Sequence, residues 1–244
     1  MRDVEDIGAP TPLGEVRLSF AVAGVTLAST PLRQLKHHRE IYSDWRFVEN
    51  VRVESYRVPL PTTRFAYDLN DVPIGAEGSW GIVARFTARA DSGPLEMRAS
   101  LNPTPPDSRL ASGEMLALRE FRAEGVTVVV GGGDLDFYLR SSVDGRLPRR
   151  WDDPDETTAH DEMGVTDWML QGLAGASTLP VGADGIGWKL PALRSDEVAL
   201  LHVAIAWGRT KTSAVAARLA VDTTPSEILR HSTFARNIGA TGRA

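Results

Sequence analysis

The sequence contains no cysteine, and this absence excludes several classes of protein at once. Disulfide bonds, thiolate zinc sites and cysteine nucleophiles are ruled out, and so is a small secreted scaffold held together by disulfides. An excess of positive charge is also missing, because 27 Lys and Arg face 32 Asp and Glu and give a formal charge of -5. The chain as a whole therefore has no charge-driven attraction to phosphates.

Long apolar runs are missing as well. The longest, residues 198–207, is about half the length that a membrane-spanning helix needs. Residues 1–14 contain Asp3, Glu5 and Asp6 where a secretory signal peptide would need a basic start followed by an apolar stretch. We therefore expect no membrane segment and no signal peptide.

The overall composition is that of an ordinary globular protein. With 244 residues, 42% of them hydrophobic and 24% charged, the chain is long and apolar enough to bury a core. All-β domains commonly reach this size as one unit. We predict an N-terminal arm over residues 1–14, a single β-sandwich domain over 15–222, and a C-terminal helix and tail over 223–244.

Alternation of apolar and polar residues with period two is the main structural signal. It predicts strands at residues 16–22, 45–58, 82–88, 95–101, 126–130, 198–207 and 215–221. The turn sequence at 91–94 predicts that strands 82–88 and 95–101 form a hairpin. A change of phase between Ser55 and Tyr56 predicts a β-bulge in the strand 45–58.

Helical signals are few. We predict short helices at residues 32–42 and 163–174, and a third that starts at Thr224-Pro225-Ser226-Glu227, which has the composition of a capping box. Residues 141–193 are acidic and rich in glycine and proline, and we interpret them as a long excursion from the sheet. Together these features predict a mostly β protein, an antiparallel β-sandwich or jelly roll with short helices in its connections.

Motifs for catalysis are weak or absent. The glycines at 131–133 lack the Lys-Ser/Thr ending of a phosphate loop, and Asp134 and Asp136 follow them directly, so a flexible strand connection is the simpler interpretation. His202 lies in an apolar strand, where a buried, hydrogen-bonded imidazole is the usual outcome. No nucleophile–base motif occurs. We favour a protein that is not an enzyme, with no cofactor.

Two charged regions are candidate contact surfaces. One is an acidic cluster, for which a solvated acidic loop is the simpler interpretation, because like charges repel each other and stay hydrated. A subunit contact or a cation site of oxygen ligands is the alternative, although the spacing does not match an EF-hand. The members of this acidic cluster are Asp152, Asp153, Asp155, Glu156, Asp161 and Glu162. The other mixes basic and aromatic residues, as nucleic-acid interfaces do. Its cations are Arg33, Lys36, Arg39, Arg46, Arg52 and Arg57, which alternate with Tyr42, Trp45 and Tyr56.

The order of predicted elements resembles that of jelly-roll coat proteins of small icosahedral RNA viruses, tymovirus-like ones in particular. The similar stretches are a short helix followed by a long strand over residues 40–53, the segment 81–86, and two closing apolar strands at 199–207 and 214–221. The resemblance implies a structural subunit that packs against copies of itself and encloses RNA, and it implies a location in the virus particle or in the cytoplasm. Coat proteins of that group also lack a strongly basic arm.

Three functions follow from these observations. The leading hypothesis is a self-assembling coat subunit whose partners are its own copies and RNA. The second is a β-sandwich binding module for carbohydrate or protein, which would present Trp80, Trp151, Trp168 and Trp188 from loops, although we expect at least half of the six tryptophans to be buried. The third is an enzyme with a site inside a β-barrel, near His202, Asp134 and Asp136.

Overall fold

The computed structural model describes residues 8–27, 31–45, 49–67, 73–112, 117–132, 140–141, 177–179, 182–195, 198–221, 223 and 225–234. Its strands, in chain order, are β1 (Ala9–Thr11), β2 (Gly14–Val22), β3 (Val25–Thr26), β4 (Arg33–His37), β5 (Glu40–Asp44), β6 (Val51–Pro59), β7 (Thr63–Tyr67), β8 (Pro73–Gly75), β9 (Gly78–Ala88), β10 (Leu95–Asn102), β11 (Asp107–Ser112), β12 (Ala117–Ala123), β13 (Val126–Gly132), β14 (Arg140–Ser141), β15 (Ser177–Leu179), β16 (Gly185–Leu190) and β17 (Val198–Gly208). Two helices follow, α1 (Lys211–Ala220) and α2 (Pro225–Arg230).

The strands form an antiparallel β-sandwich, which confirms the predicted fold class. A six-stranded sheet has the order β1-β2-β10-β16-β15, with β3 beside β2. A nine-stranded sheet has the order β11-β12-β13-β17-β9-β6-β5-β4, with β14 beside β17, and β7 pairs with β8 separately. Apolar side chains from both sheets fill the space between them, and the ring of Phe20 meets those of Trp45 and Phe86 edge-on at 5.2 and 5.9 Å.

The predicted hairpin of strands 82–88 and 95–101 is wrong, although both strands exist. β9 lies between β6 and β17 in the nine-stranded sheet, whereas β10 lies between β2 and β16 in the six-stranded sheet. The turn at 91–94 therefore carries the chain from one sheet to the other. Alternation fixes the face that each residue occupies, but it does not identify the neighbouring strand.

The predicted helix at 32–42 is also wrong, because β4 and β5 form a hairpin there. His38 adopts a left-handed conformation (φ 53°) between the two strands, which closes the turn. Along β5 and just beyond it, Tyr42 contributes to the cluster on the outer face of the nine-stranded sheet, whereas Trp45 belongs to the core between the sheets. Both faces of this segment are covered, so its apolar residues show no clean period.

The predicted strand at 215–221 is wrong, because residues 215–220 belong to α1. The buried residues Ser213, Ala217 and Val221 recur every four positions, as one face of a helix requires, and Val215 is exposed. Alternating apolar residues happen to satisfy a strand pattern here, but the alanines favour the helix. α1 packs on β17 and β13 at the outer face of the nine-stranded sheet.

β6 contains no bulge at Ser55 and Tyr56, contrary to the prediction. Its register with β9 runs without a shift from Val51 opposite Ala88 to Pro59 opposite Trp80. The alternation of apolar residues changes phase because both faces of β6 are covered. Val53 faces the core between the sheets, whereas Tyr56 belongs to the apolar cluster on the outer face that includes Ile228 of α2.

The C-terminal helix begins at the predicted proline, and its residues Ile228 and Leu229 are buried. The excursion predicted for 141–193 is corrected at its end, because β15 and β16 pair within the six-stranded sheet and Trp188 of β16 is completely buried. The helix predicted at 163–174 lies outside the described residues. Among the described helices, none has the length and apolar character needed to cross a membrane.

Candidate functional site

A cavity of about 370 Å³ lies between α1 and the end of the β12–β13 hairpin. Four of the residues that line it are cationic: Arg122, Arg209, Lys211 and Arg218. The other described residues in its lining are Thr127, Thr210, Ala214 and Val215. We call this cavity the basic cleft.

Strand register explains how the sheet side of the basic cleft forms. Arg122 lies directly opposite Thr127, and Thr127 lies opposite Gly208 on the other side. Phe121 and Val128 next to them point into the core between the sheets, so alternation places Arg122 and Thr127 on the outer face. The rung formed by these residues is therefore beside the start of α1.

The helix side of the basic cleft is the exposed stripe of α1. Lys211, Ala214, Val215 and Arg218 are spaced i, i+3, i+4 and i+7, which places them on one face. The helix start is capped because the Thr210 hydroxyl accepts a 3.0 Å hydrogen bond from the Ser213 amide. A Cβ at Gly208 would lie 2.4 Å from the Ser213 backbone, so only glycine fits this tight connection between β17 and α1.

Glu120 holds two of the four cations in place. Its side chain is only 5% exposed, and Oε2 accepts hydrogen bonds of 2.9 Å from Arg122 Nη2 and 3.0 Å from Arg218 Nη2. Oε1 accepts a further one from Arg218 Nε. Burial acts to raise the pKa of Glu120, but the hydrogen bonds and charges of Arg218 and Arg122 together outweigh burial and lower that pKa. Glu120 is therefore ionised at neutral pH.

The other two cations differ in how they are held. Glu77 accepts a 2.7 Å hydrogen bond from the Arg209 amide and forms an ion pair with the Arg209 guanidinium. The Lys211 side chain makes no hydrogen bond or ion pair within the described part of the chain. The four cations and the two carboxylates that pair with them, Glu77 and Glu120, sum to +2, in a chain whose formal charge is -5. Asp107 lies opposite Arg122 on the neighbouring strand.

The predicted nucleic-acid strip is divided between different environments. Arg33, Lys36 and Arg39 are exposed on and beside the β4–β5 hairpin. Arg52 pairs with Asp44 at 2.7 Å and with Glu54 at 3.4 Å, whereas Arg57 donates to the Gly8 carbonyl. Arg46 lies outside the described residues.

The aromatic residues expected for stacking are buried. Tyr42, Trp45 and Tyr56 leave no ring face for a base. Trp80 and Trp188 lie on strands and are buried too, so neither can present a ring to a sugar, while Trp151 and Trp168 lie outside the described residues. The carbohydrate-binding hypothesis requires Trp80 and Trp188 to be exposed on loops, and this expectation is wrong for both residues.

A second polar cluster surrounds Glu54 on the outer face of the nine-stranded sheet. Tyr42 donates a 2.6 Å hydrogen bond to Glu54 Oε1, and Arg85 Nη1 lies 3.3 Å from Oε2. Burial, and then the Glu54 carboxylate, raise the pKa of Tyr42 and of Tyr56 well above the ordinary value of a tyrosine. Neither phenol ionises at neutral pH, so neither acts as a base.

His202 is buried, as predicted, and burial lowers its pKa to about 4, although a hydrogen bond to the Thr223 backbone acts in the opposite direction. It is therefore neutral at physiological pH. Asp134, Asp136 and the acidic cluster at residues 152–162 lie outside the described residues. Within the described ranges, no group of three or more His, Asp or Glu side chains is placed to hold a metal ion.

Sequence reasoning missed the basic cleft because it treated residues 215–221 as a strand. A strand that starts at residue 215 leaves Lys211 in the turn before it, whereas the helix Lys211–Ala220 places Lys211 and Arg218 on the same face. The signal that points to the helix is Thr210 followed three residues later by Ser213, before an alanine-rich stretch. No protein-family model matches this sequence, and no curated protein matches it either.

Proposed function

We propose that this protein is a binding protein for a small anion, with the basic cleft as its site. The observation that carries the proposal is that Arg122, Arg209, Lys211 and Arg218 line one cavity of about 370 Å³ in an acidic chain. Cavities of roughly 300–1,000 Å³ suit small molecules. A long polymer would need an extended basic surface instead.

The way the cations are held supports binding. Arg122 and Arg218 are fixed by the same buried carboxylate, and Arg209 is fixed by Glu77. Guanidinium groups that are already oriented lose little conformational entropy when a ligand arrives. Each arginine uses only some of its five N–H donors on its carboxylate, so donors are left for an anion.

Isothermal titration with pyrophosphate tests the proposal. We expect saturable binding at one site, with affinity roughly tenfold weaker in Lys211→Ala, because a hydrogen-bonded charge is lost. Arg122→Ala should also weaken binding. Arg98→Ala is the matched control, since Arg98 also pairs with a glutamate two residues before it and both arginine side chains are 48% exposed. Equal affinity in the wild type and Lys211→Ala would contradict the proposal.

Self-assembly is a second candidate function, and one observation favours it. Leu32, next to β4, and Leu110, in β11, are 60% and 61% exposed, at the two end strands of the described nine-stranded sheet. Exposed apolar edge strands are sites where another chain can pair. In that case the cations Arg33, Lys36 and Arg39 would be candidates for RNA contact.

The mass of the native particle tests this second candidate. Assembly predicts elution far above the 26.5 kDa monomer, with shells visible by electron microscopy. Leu110→Lys should shift the protein towards monomer, and Arg98→Lys, a conservative change on the other sheet, should not. Elution of the wild type as a monomer at high concentration would contradict assembly.

A further inference from the structure

We propose that the ligand of the basic cleft is a phosphate monoester of a small organic molecule, recognised as its dianion. This inference rests on the proposed function, because it names the chemical class of ligand for the same site. A phosphodiester or a carboxylate, each with one negative charge, would be a poorer match.

The charge of the basic cleft favours a ligand with two negative charges. Arg122 and Arg218 keep Glu120 ionised, so its single negative charge balances one of the four positive charges. Glu77 offsets a second, so the four cations share two ion-paired carboxylates within the described part of the chain, and two positive charges are left over from these pairs. A phosphate monoester carries about -1.5 to -2 at pH 7, which neutralises this excess.

The hydrogen-bond donors of the basic cleft are arranged to suit a group with three terminal oxygens. Arg122 and Thr127 approach from the sheet, whereas Lys211 and Arg218 approach from the helix. A tetrahedral phosphate with three terminal oxygens can accept from both sides at once, and charge-assisted N–H to oxygen bonds are the stronger kind. A diester has two terminal oxygens and cannot use as many of these donors.

The remaining lining explains why an ester fits better than free phosphate. Ala214 and Val215 lie between Lys211 and Arg218 on the same stripe of α1, and Val215 is 41% exposed. They offer apolar contact to a carbon skeleton next to the phosphate. The volume of about 370 Å³ is also much larger than a single phosphate group needs.

The experiment compares methyl phosphate, dimethyl phosphate and sulfate by isothermal titration at pH 8 and pH 5. At pH 8 we expect methyl phosphate to bind about tenfold more tightly than dimethyl phosphate, because a charge-assisted contact is lost in the diester. At pH 5, below the second phosphate pKa of about 6, methyl phosphate should bind roughly tenfold more weakly than at pH 8. Sulfate stays a dianion, so its affinity should change much less.

Equal affinities for the two esters, both reduced in Lys211→Ala, would overturn the monoester assignment and leave the anion site standing. Binding of sulfate and methyl phosphate with the same pH dependence would also overturn it. If none of the three anions bound, and pyrophosphate did not bind either, both the monoester assignment and the proposed function would fail. Arg98→Ala, with its altered arginine on the other sheet, should reproduce every wild-type value.

Discussion

Arg218 of α1 donates two hydrogen bonds to the carboxylate of Glu120 on β12, a residue 98 positions away in the sequence. Glu120 also accepts a hydrogen bond from Arg122, which lies on the same strand. One buried carboxylate thus fastens the helix to the outer face of the nine-stranded sheet and orients two of the cations of the basic cleft. The integrity of the cleft and the docking of α1 are therefore linked.

Glu120→Gln tests this link. The substitution keeps the size of the side chain but removes the charge, so we expect a loss of about 1–2 kcal/mol in the free energy of unfolding at pH 7. Urea denaturation followed by circular dichroism measures it. Glu96→Gln, at the more exposed pair with Arg98, should cost less than about 0.5 kcal/mol.

The same variant carries a pH dependence. The folded pKa of Glu120 is lowered, so its contribution is fully present above the ordinary glutamate pKa near 4.3 and is lost as pH falls through the lower folded value. The difference in unfolding free energy between wild type and Glu120→Gln should therefore shrink below about pH 4. A difference that stayed constant down to pH 3 would show that the charge of Glu120 is not involved.

His202 predicts a second pH effect, at higher pH. Its pKa is about 4 when folded and about 6.5 when unfolded, so the unfolded chain binds more protons between these values and stability rises with pH across that window. The free energy of unfolding should increase by about 3 kcal/mol from pH 4 to pH 7. His202→Gln should flatten this profile, which urea denaturation at a series of pH values measures.

Trp188 gives a prediction for the core. Its indole Nε1 donates a 3.0 Å hydrogen bond to the Gly132 carbonyl, and the ring is completely buried. Trp188→Phe should lower the free energy of unfolding by about 2–4 kcal/mol, through the lost hydrogen bond and the space left behind. The control is Trp207→Phe, where the ring is partly buried and its N–H has no hydrogen-bond partner among the described residues. A cost as large in the control as in Trp188→Phe would contradict this assignment.

The pairing of β10 with β2 can be tested by cross-linking, since the chain has no cysteine of its own. Ser19 and Arg98 are exposed and directly opposite each other, so the double variant Ser19→Cys and Arg98→Cys should form a disulfide under mild oxidation. A β9–β10 hairpin would instead place Arg89 opposite Glu96. A disulfide in the double variant Arg89→Cys and Glu96→Cys, with none between 19 and 98, would contradict the sheet order.

The fold class could be predicted from the sequence because alternation is a local property. β2, β10 and β17 each show it, and each lies where the pattern predicts a strand. Strand pairing could not be predicted in this way. The residue pattern of β9 is compatible with a strand in the middle of a covered sheet and equally with one strand of a hairpin. The β16 strand was missed because its pattern is short and lies inside a segment rich in glycine and proline.

The site was harder to predict than the fold. Its cations come from β12, from the connection after β17 and from α1, and they meet only because α1 docks on the outer face of the sheet. The sequence instead directed attention to the basic residues around Arg33 and Arg57, where local density is highest. Arg52 and Arg57 there are committed to Asp44, Glu54 and the Gly8 carbonyl.

Anion binding in the basic cleft is tested most directly by titrating the nitrogen-15-labelled protein with phosphate and monitoring its amide resonances by NMR. We expect the amide resonances of residues 122–127 and 209–218 to shift together and to saturate. Lys211→Ala should weaken the response, and the amide resonances around Arg98 should not shift. Shifts confined to the exposed hairpin at residues 33–44, or no saturable shift at all, would contradict the basic cleft as the binding site.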